Sequence, residues 1–159
     1  MADKSRTAKQ HLIDQVVSEF RASGNQDDAF DNLAADRLGV SRTDLHCLNA
    51  IENAGGLTAG ELATASGLTT GAVTGVIDRL ERAGFARRVA DPDDRRRVMV
   101  EVTPEFYARA GDIWGPVKAD WEATMAANFT VAELERILEF LRLSTEIAGR
   151  NSERLSGPG

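Results

Sequence analysis

Residues 57–103 read LTAGELATASGLTTGAVTGVIDRLERAGFARRVADPDDRRRVMVEVT. Thr58 stands three residues before Glu61, so each side chain can cap the other's free backbone N–H and open the helix TAGELATAS. Gly67 supplies a turn. Thr69 or Thr70 then caps a second helix that runs to about Ala83 and stops at Gly84. In that helix Val73, Val76, Ile77 and Leu80 recur at helical spacing and form the inward face. Thr70, Gly71, Thr74, Asp78 and Arg79 are left outside. Phe85 to Val89 reads as a strand and Val98 to Val102 as its partner, with alternating apolar positions. ADPDDRR joins the two as a long hairpin loop, its Asp91-Pro92 a turn signal. A helix, a Gly turn, a helix and an Arg-tipped hairpin, in that order, make a winged helix-turn-helix.

Helical stripes extend on both sides of this segment. Leu12, Ile13, Val16, Val17 and Phe20 form one stripe between about Gln10 and Arg21. SGNQDD (23–28) reads as a loop or helix start, with Asp27 or Asp28 as a cap, before a short helix ending at Gly39. Ser41 or Thr43 caps the next helix, which carries Leu45, Leu48 and Ile51 and ends at Gly55-Gly56. Beyond the hairpin, Thr103-Pro104-Glu105 starts a helix with proline at its first position. Gly115-Pro116 interrupts its stripe of Phe106, Ala110, Ile113, Trp114, Val117, Trp121 and Met125, and is expected to kink it. Thr130 with Glu133 is a second capping box, opening a last helix through Leu134, Leu138, Leu141 and Ile147. The ends, residues 1–9 and 151–159, are polar and expected to be flexible tails.

The chain has 159 residues and a net charge of −6, which at first argues against a polyanionic partner. Charge distribution removes the objection. Residues 58–103 hold seven arginines and seven acids, so the segment is neutral and the acidity lies elsewhere. Five of those arginines cluster at 87–88 and 95–97, and local field decides nucleic-acid binding, not total charge. No apolar run is long enough to span a bilayer, and the N-terminus lacks the apolar core of a signal peptide. With one cysteine, Cys47, these features fit a reducing cytoplasm. Cys47 lies between Leu45 and Leu48 on an apolar helix and reads as a buried structural thiol. No catalytic triad, phosphate loop, paired-carboxylate motif or metal-ligand spacing occurs, so neither an enzyme nor a metal or cofactor is expected.

The helix at 69–83 is the candidate reader of double-stranded DNA. Thr69, Thr70, Gly71 and Thr74 are small enough for close approach, and the helix N-terminus favours phosphate. Thr70 and Thr74 can meet base edges or thymine methyl groups. Arg79 is placed for the phosphate backbone, and Arg87 and Arg88, in the basic cluster, are expected to contact DNA as well. Few long side chains face the groove, so DNA shape is expected to carry part of the specificity. In the hairpin, Asp94 can hold an arginine in fixed geometry while Arg95, Arg96 and Arg97 exploit the negative minor groove.

The motifs ELATASGLTTGAVTGVIDRLERAGFARR and DPDDRRRVMVEVT resemble the MarR (multiple antibiotic resistance regulator) family of bacterial transcription factors. The family's wing has an Asp, an Arg two residues on, and Leu-Thr after the strand. Asp94, Arg96 and Val102-Thr103 take those places here. The resemblance implies a mainly α fold with a small β-hairpin wing: a DNA-binding lobe at 41–103 and a helical dimerisation lobe from 10–38 and 104–149. It implies a homodimer on a palindromic operator, most simply a ligand-released repressor. In the family, a cleft beside the helix carrying Asp44 and His46 is a candidate pocket, with Trp114, for a small aromatic or phenolic effector. The alternative from another class is a winged-helix protein–protein adaptor without DNA binding, which has no need for an arginine-tipped hairpin.

Overall fold

The computed structural model describes residues 2–91, 94 and 96–156. Its order is α1 (Ala2–Leu38), α2 (Arg42–Ala54), β1 (Leu57–Thr58), α3 (Ala59–Ser66), α4 (Thr70–Arg82), β2 (Ala86–Ala90), β3 (Val98–Val102), α5 (Pro104–Asn128) and α6 (Val131–Ser156). No helix among the described residues is long and apolar enough to cross a membrane. The chain divides into two compact units, Met1–Gly111 and Asp112–Gly159.

In the first unit the core is built from short apolar sets, one per element. Ala34, Ala35 and Leu38 come from α1, and Leu45, Cys47, Leu48 and Ile51 from α2. Leu62 comes from α3, and Val73, Val76, Ile77 and Leu80 from α4. Phe85, Ala86, Val100 and Phe106 close the sheet side. Each large side chain buried this way contributes about 1.5–3 kcal/mol. The Phe85 and Phe106 rings meet edge to face with centroids 6.0 Å apart. Thr103 ties that corner together: its N–H donates to the Phe85 carbonyl at 3.0 Å, and its hydroxyl donates to the Gly84 carbonyl at 2.6 Å.

The sheet is antiparallel in the order β1-β3-β2, with Leu57 and Arg88 both opposite Val100. β1 was not expected. Two residues are too few to show a period, and only pairing with β3 makes them a strand. β2 begins one residue later than the apolar pattern indicates.

The largest departure from expectation is α1. It runs unbroken through residues 23–28, where a loop or cap was expected. That stretch contains no proline, so no backbone donor is removed, and Gly24 costs a helix only about 1 kcal/mol. Asp28 does not cap a helix. It accepts from Arg42 at 2.6 Å, and Asp31 lies 3.2 Å from the same guanidinium, so both acids pin the start of α2 to α1. Ser41, not Thr43, caps α2.

In the second unit α5 passes through Gly115-Pro116 as one helix. Thr130 and Glu133 form the expected capping box before α6. Helix extends into both stretches read as tails, from Ala2 and up to Ser156. Among the described residues of this unit no side chain is buried, and Trp121, Leu138, Leu141, Leu143 and Ile147 are exposed.

Candidate nucleic-acid interface

Two caps and one turn set the angle between α3 and α4. The Thr58 hydroxyl accepts from the Glu61 N–H at 3.2 Å, and Glu61 accepts from the Thr58 N–H at 2.8 Å. Gly67 ends α3 in the left-handed region at φ 68°, where a side chain would be strained. Thr69, not Thr70, is the cap of α4, its hydroxyl accepting from the Ala72 N–H at 3.3 Å. Val73, Val76, Ile77 and Leu80 are buried as expected, which turns Thr70, Gly71 and Thr74 outward. The Thr74 hydroxyl donates to the Thr70 carbonyl at 3.1 Å, so it offers an incoming base lone pairs and a methyl group. A Cβ at Gly71 would meet nothing within 4 Å among the described residues, so packing within the chain does not require a glycine there.

The arginines sort by partner. Arg79 turns to α2. Its Nη2 lies 2.6 Å from Asp44 Oδ1, and its Nε lies 3.2 Å from both carboxylate oxygens. Asp44 is only 3% exposed and also caps α2 with Ser41. Burial pushes the Asp44 carboxyl up, but hydrogen bonds from Arg79 and Ser41 outweigh it and hold it below the ordinary aspartate range. The structure thus joins two residues that the sequence placed in different sites. Arg88 pairs with Asp78 at 2.7 Å and with Glu81, tying β2 to α4. Asp78, on the outward face of the reading helix, is therefore a counter-charge. Arg87 pairs with Glu101 at 3.1 Å across the β2–β3 ladder.

At the wing, Asp94 accepts from the Arg96 backbone N–H and from its Nε, each at 3.1 Å. This local clamp leaves the Arg96 side chain 91% exposed. The same hydrogen bonds hold the Asp94 carboxyl below its ordinary value. Arg97 turns back from the tip: its Nη2 lies 2.8 Å from Glu61 Oε1 and its Nη1 3.6 Å from Asp91 Oδ2. Arg95 lies outside the described residues. Glu61, Glu81 and Asp91 were not expected at the site. Their partners are distant in sequence or hidden in the hairpin, so no spacing announces them.

The residues expected to hold an effector differ in their own surroundings. Asp44 is committed to Arg79. His46 is exposed and borders a shallow depression of 260 Å³ with Arg42, Thr43, Ser66 and Leu68. Trp114 is half-buried on α5, in the other unit. Cys47 is fully buried, as expected, and burial pushes its thiol up, away from the reactive thiolate.

A reading helix with a small outer face, followed by a hairpin presenting a clamped arginine, defines a DNA-binding winged helix of the transcription-regulator class. Comparison with known proteins agrees. A family model described as MarR family matches residues 40–98. An uncharacterized HTH-type transcriptional regulator of Bacillus subtilis, YcgE, is 37% identical over 95% of this chain and 97% of its own. The multiple antibiotic resistance protein MarR of Salmonella typhimurium is 31% identical over 64% of this chain and 73% of its own. A crystal structure of MarR superposes with TM-score 0.56 at 28% identity, covering 82% of this chain and 88% of that one. NadR in complex with 4-hydroxyphenylacetate shares the fold, with TM-score 0.61 at 21% identity over 83% and 90% of the two chains. The chain belongs to the MarR family of transcriptional regulators.

Proposed function

We propose that the protein is a homodimeric repressor that binds a palindromic operator and is released by a small aromatic or phenolic acid. The observation that carries DNA recognition is Arg96, almost wholly exposed at the wing tip and held in one geometry by Asp94. With the small outer face of Thr69, Thr70, Gly71 and Thr74, it gives one helix for a major groove and one cation for the adjacent minor groove. Residues 41–103 act as the DNA-binding lobe, and 10–38 with 104–149 as the dimerisation lobe. Two copies related by a two-fold axis then present two helices and two wings to two half-sites.

The dimer is supported by the apolar side chains that a single chain leaves uncovered on α1 and α6. Leu12, Val16 and Val17 on the first, and Leu138, Leu141 and Ile147 on the second, are all exposed. The effector class is drawn from NadR, whose complex contains 4-hydroxyphenylacetate. In this chain His46, Asp44 and Trp114 are the residues proposed to sense it, by favouring a spacing of the reading helices that misses the half-sites. The protein acts in the cytoplasm.

Fluorescence anisotropy on a labelled duplex from upstream of the protein's own gene tests the reading. Affinity is expected to fall steeply with salt, and Arg96→Ala to flatten the salt slope by about 0.9 per contact, hence about two per dimer. An Arg96→Ala variant with unchanged affinity and slope would remove the wing from the interface. 4-Hydroxyphenylacetate is expected to release the duplex and to change tryptophan fluorescence.

A further inference from the structure

The arginine run 95–97 looks uniform in sequence, but two of its members have different jobs. We propose that Arg97 is a positioning residue, and that with Glu61 it forms a strut setting the wing against the helix-turn-helix. The assignment rests on the DNA-binding reading above. Arg96 carries the duplex contact and Arg97 carries none.

The geometry of Glu61 leads to this. One carboxylate does two things at once. Its Oε2 accepts from the Thr58 N–H and hydroxyl, each at 2.8 Å, closing the cap of α3. Its Oε1 accepts from Arg97 Nη2 at 2.8 Å, across 36 positions of sequence. Arg97 is held at the wing's root by its backbone as well. Its N–H donates to the Asp94 carbonyl at 2.8 Å, and its carbonyl accepts from the Asp91 N–H at 3.0 Å. The Asp94 N–H reaches Asp91 Oδ1 at 3.4 Å, and Asp91 Oδ2 lies 3.6 Å from the Arg97 guanidinium. The base of the loop is therefore a closed set of bonds, and its one side-chain link to α3 is Arg97 to Glu61 among the described residues.

Charge explains why the link needs a carboxylate. The N-terminus of α3 is the positive end of a helix dipole and would repel a guanidinium. Glu61 in the first turn reverses that sign and brings Arg97 in. The capping bonds and the Arg97 pair also hold the Glu61 carboxyl below its ordinary range. Both partners are about half exposed, at 48% and 47%, so the pair adds little to global stability. What it fixes is an angle. The distance from α4 to the wing tip determines whether Arg96 reaches its groove when the helix is seated, and a loose root spreads that distance over many values.

A glutamine at 61 preserves the cap, since S/T-x-x-E/Q boxes accept either residue, and deletes the charge that holds Arg97. Simple electrostatics says that removing an acid near DNA tightens binding. The strut says the opposite. The test is anisotropy with the full-length protein and the duplex from upstream of its own gene, titrated at several salt concentrations. It uses the unaltered protein, Glu61→Gln, Arg97→Ala and the double variant, with thermal melts of each. Glu61→Gln is expected to weaken binding two- to five-fold with its melt nearly unmoved. Arg97→Ala is expected to weaken it similarly with the salt slope unchanged, and the double variant to be no worse than the weaker single. Unchanged or tighter binding by Glu61→Gln overturns the assignment. So does a slope loss of about two per dimer in Arg97→Ala, the mark of a direct phosphate contact, or additive losses in the double variant. If the unaltered protein shows no salt-sensitive binding, the DNA-binding reading itself fails and the strut falls with it.

Discussion

An arginine near DNA is informative only once its partner is known. Arg79, Arg88 and Arg97 each meet an acid from another element, whereas among the described residues Arg96 pairs with its neighbour Asp94. The first group holds parts of the fold together; Arg96 faces outward. The Arg79–Asp44 pair is the most buried of them and bridges α2 and α4. Arg79→Ala leaves a buried carboxylate without its cation. It is expected to cost about 2–4 kcal/mol by urea denaturation, less than a fully buried pair because Arg79 is half exposed. Asp44→Asn is expected to cost less, because a half-exposed guanidinium regains water. The pair also sets a pH dependence. The Asp44 carboxyl is lower in the folded chain than in the unfolded one, so the unfolded state binds more protons in the window between. Its stabilisation is complete above about pH 4 and is lost as pH falls through the lowered value. Melting temperature is expected to drop below about pH 4, less steeply in Asp44→Asn than in the unaltered protein.

Helix caps and turns were the most legible elements. Thr58 with Glu61, Thr130 with Glu133 and Gly67 were readable because capping and left-handed turns depend on a few adjacent residues. The continuous α1 was not, since Gly24, Asn25, Asp27 and Asp28 favour a turn or cap locally although none of them forbids a helix. The ion pairs joining α4 to α2 and β2 were equally silent, because they link positions 35 and 10 residues apart with no shared period. At this scale α4 itself offers a test. Gly71 sits in its first turn with open space around it. Gly71→Ala is expected to stabilise the protein by about 0.5–1 kcal/mol through helix propensity, and at the same time to weaken operator binding by keeping the backbone from the duplex. Denaturation and anisotropy on the same variant would show opposite signs. A variant both more stable and fully DNA-competent would remove the close approach at this position.

The whole molecule is where composition misleads and distribution informs. A net charge of −6 coexists with a DNA-binding winged helix because the winged-helix segment is neutral and its acids among the described residues are spent on internal pairs. The apolar stripes of α1 and α6 were legible as stripes. What covers them was not, because periodicity marks a face without naming its partner. A second copy is the proposed cover. Leu138→Glu, a charge on the exposed apolar face of α6, is expected to shift the protein toward monomer in sedimentation velocity and to weaken operator binding in parallel. The most direct measurement of the central claim is sedimentation velocity of the unaltered protein with the labelled duplex from upstream of its own gene, at low and at physiological salt. A single complex of two protomers per duplex, lost as salt rises and not reproduced with a scrambled sequence, is the expected result. Protein and duplex sedimenting separately at every salt concentration, or one protomer per duplex with no preference for sequence, would contradict it.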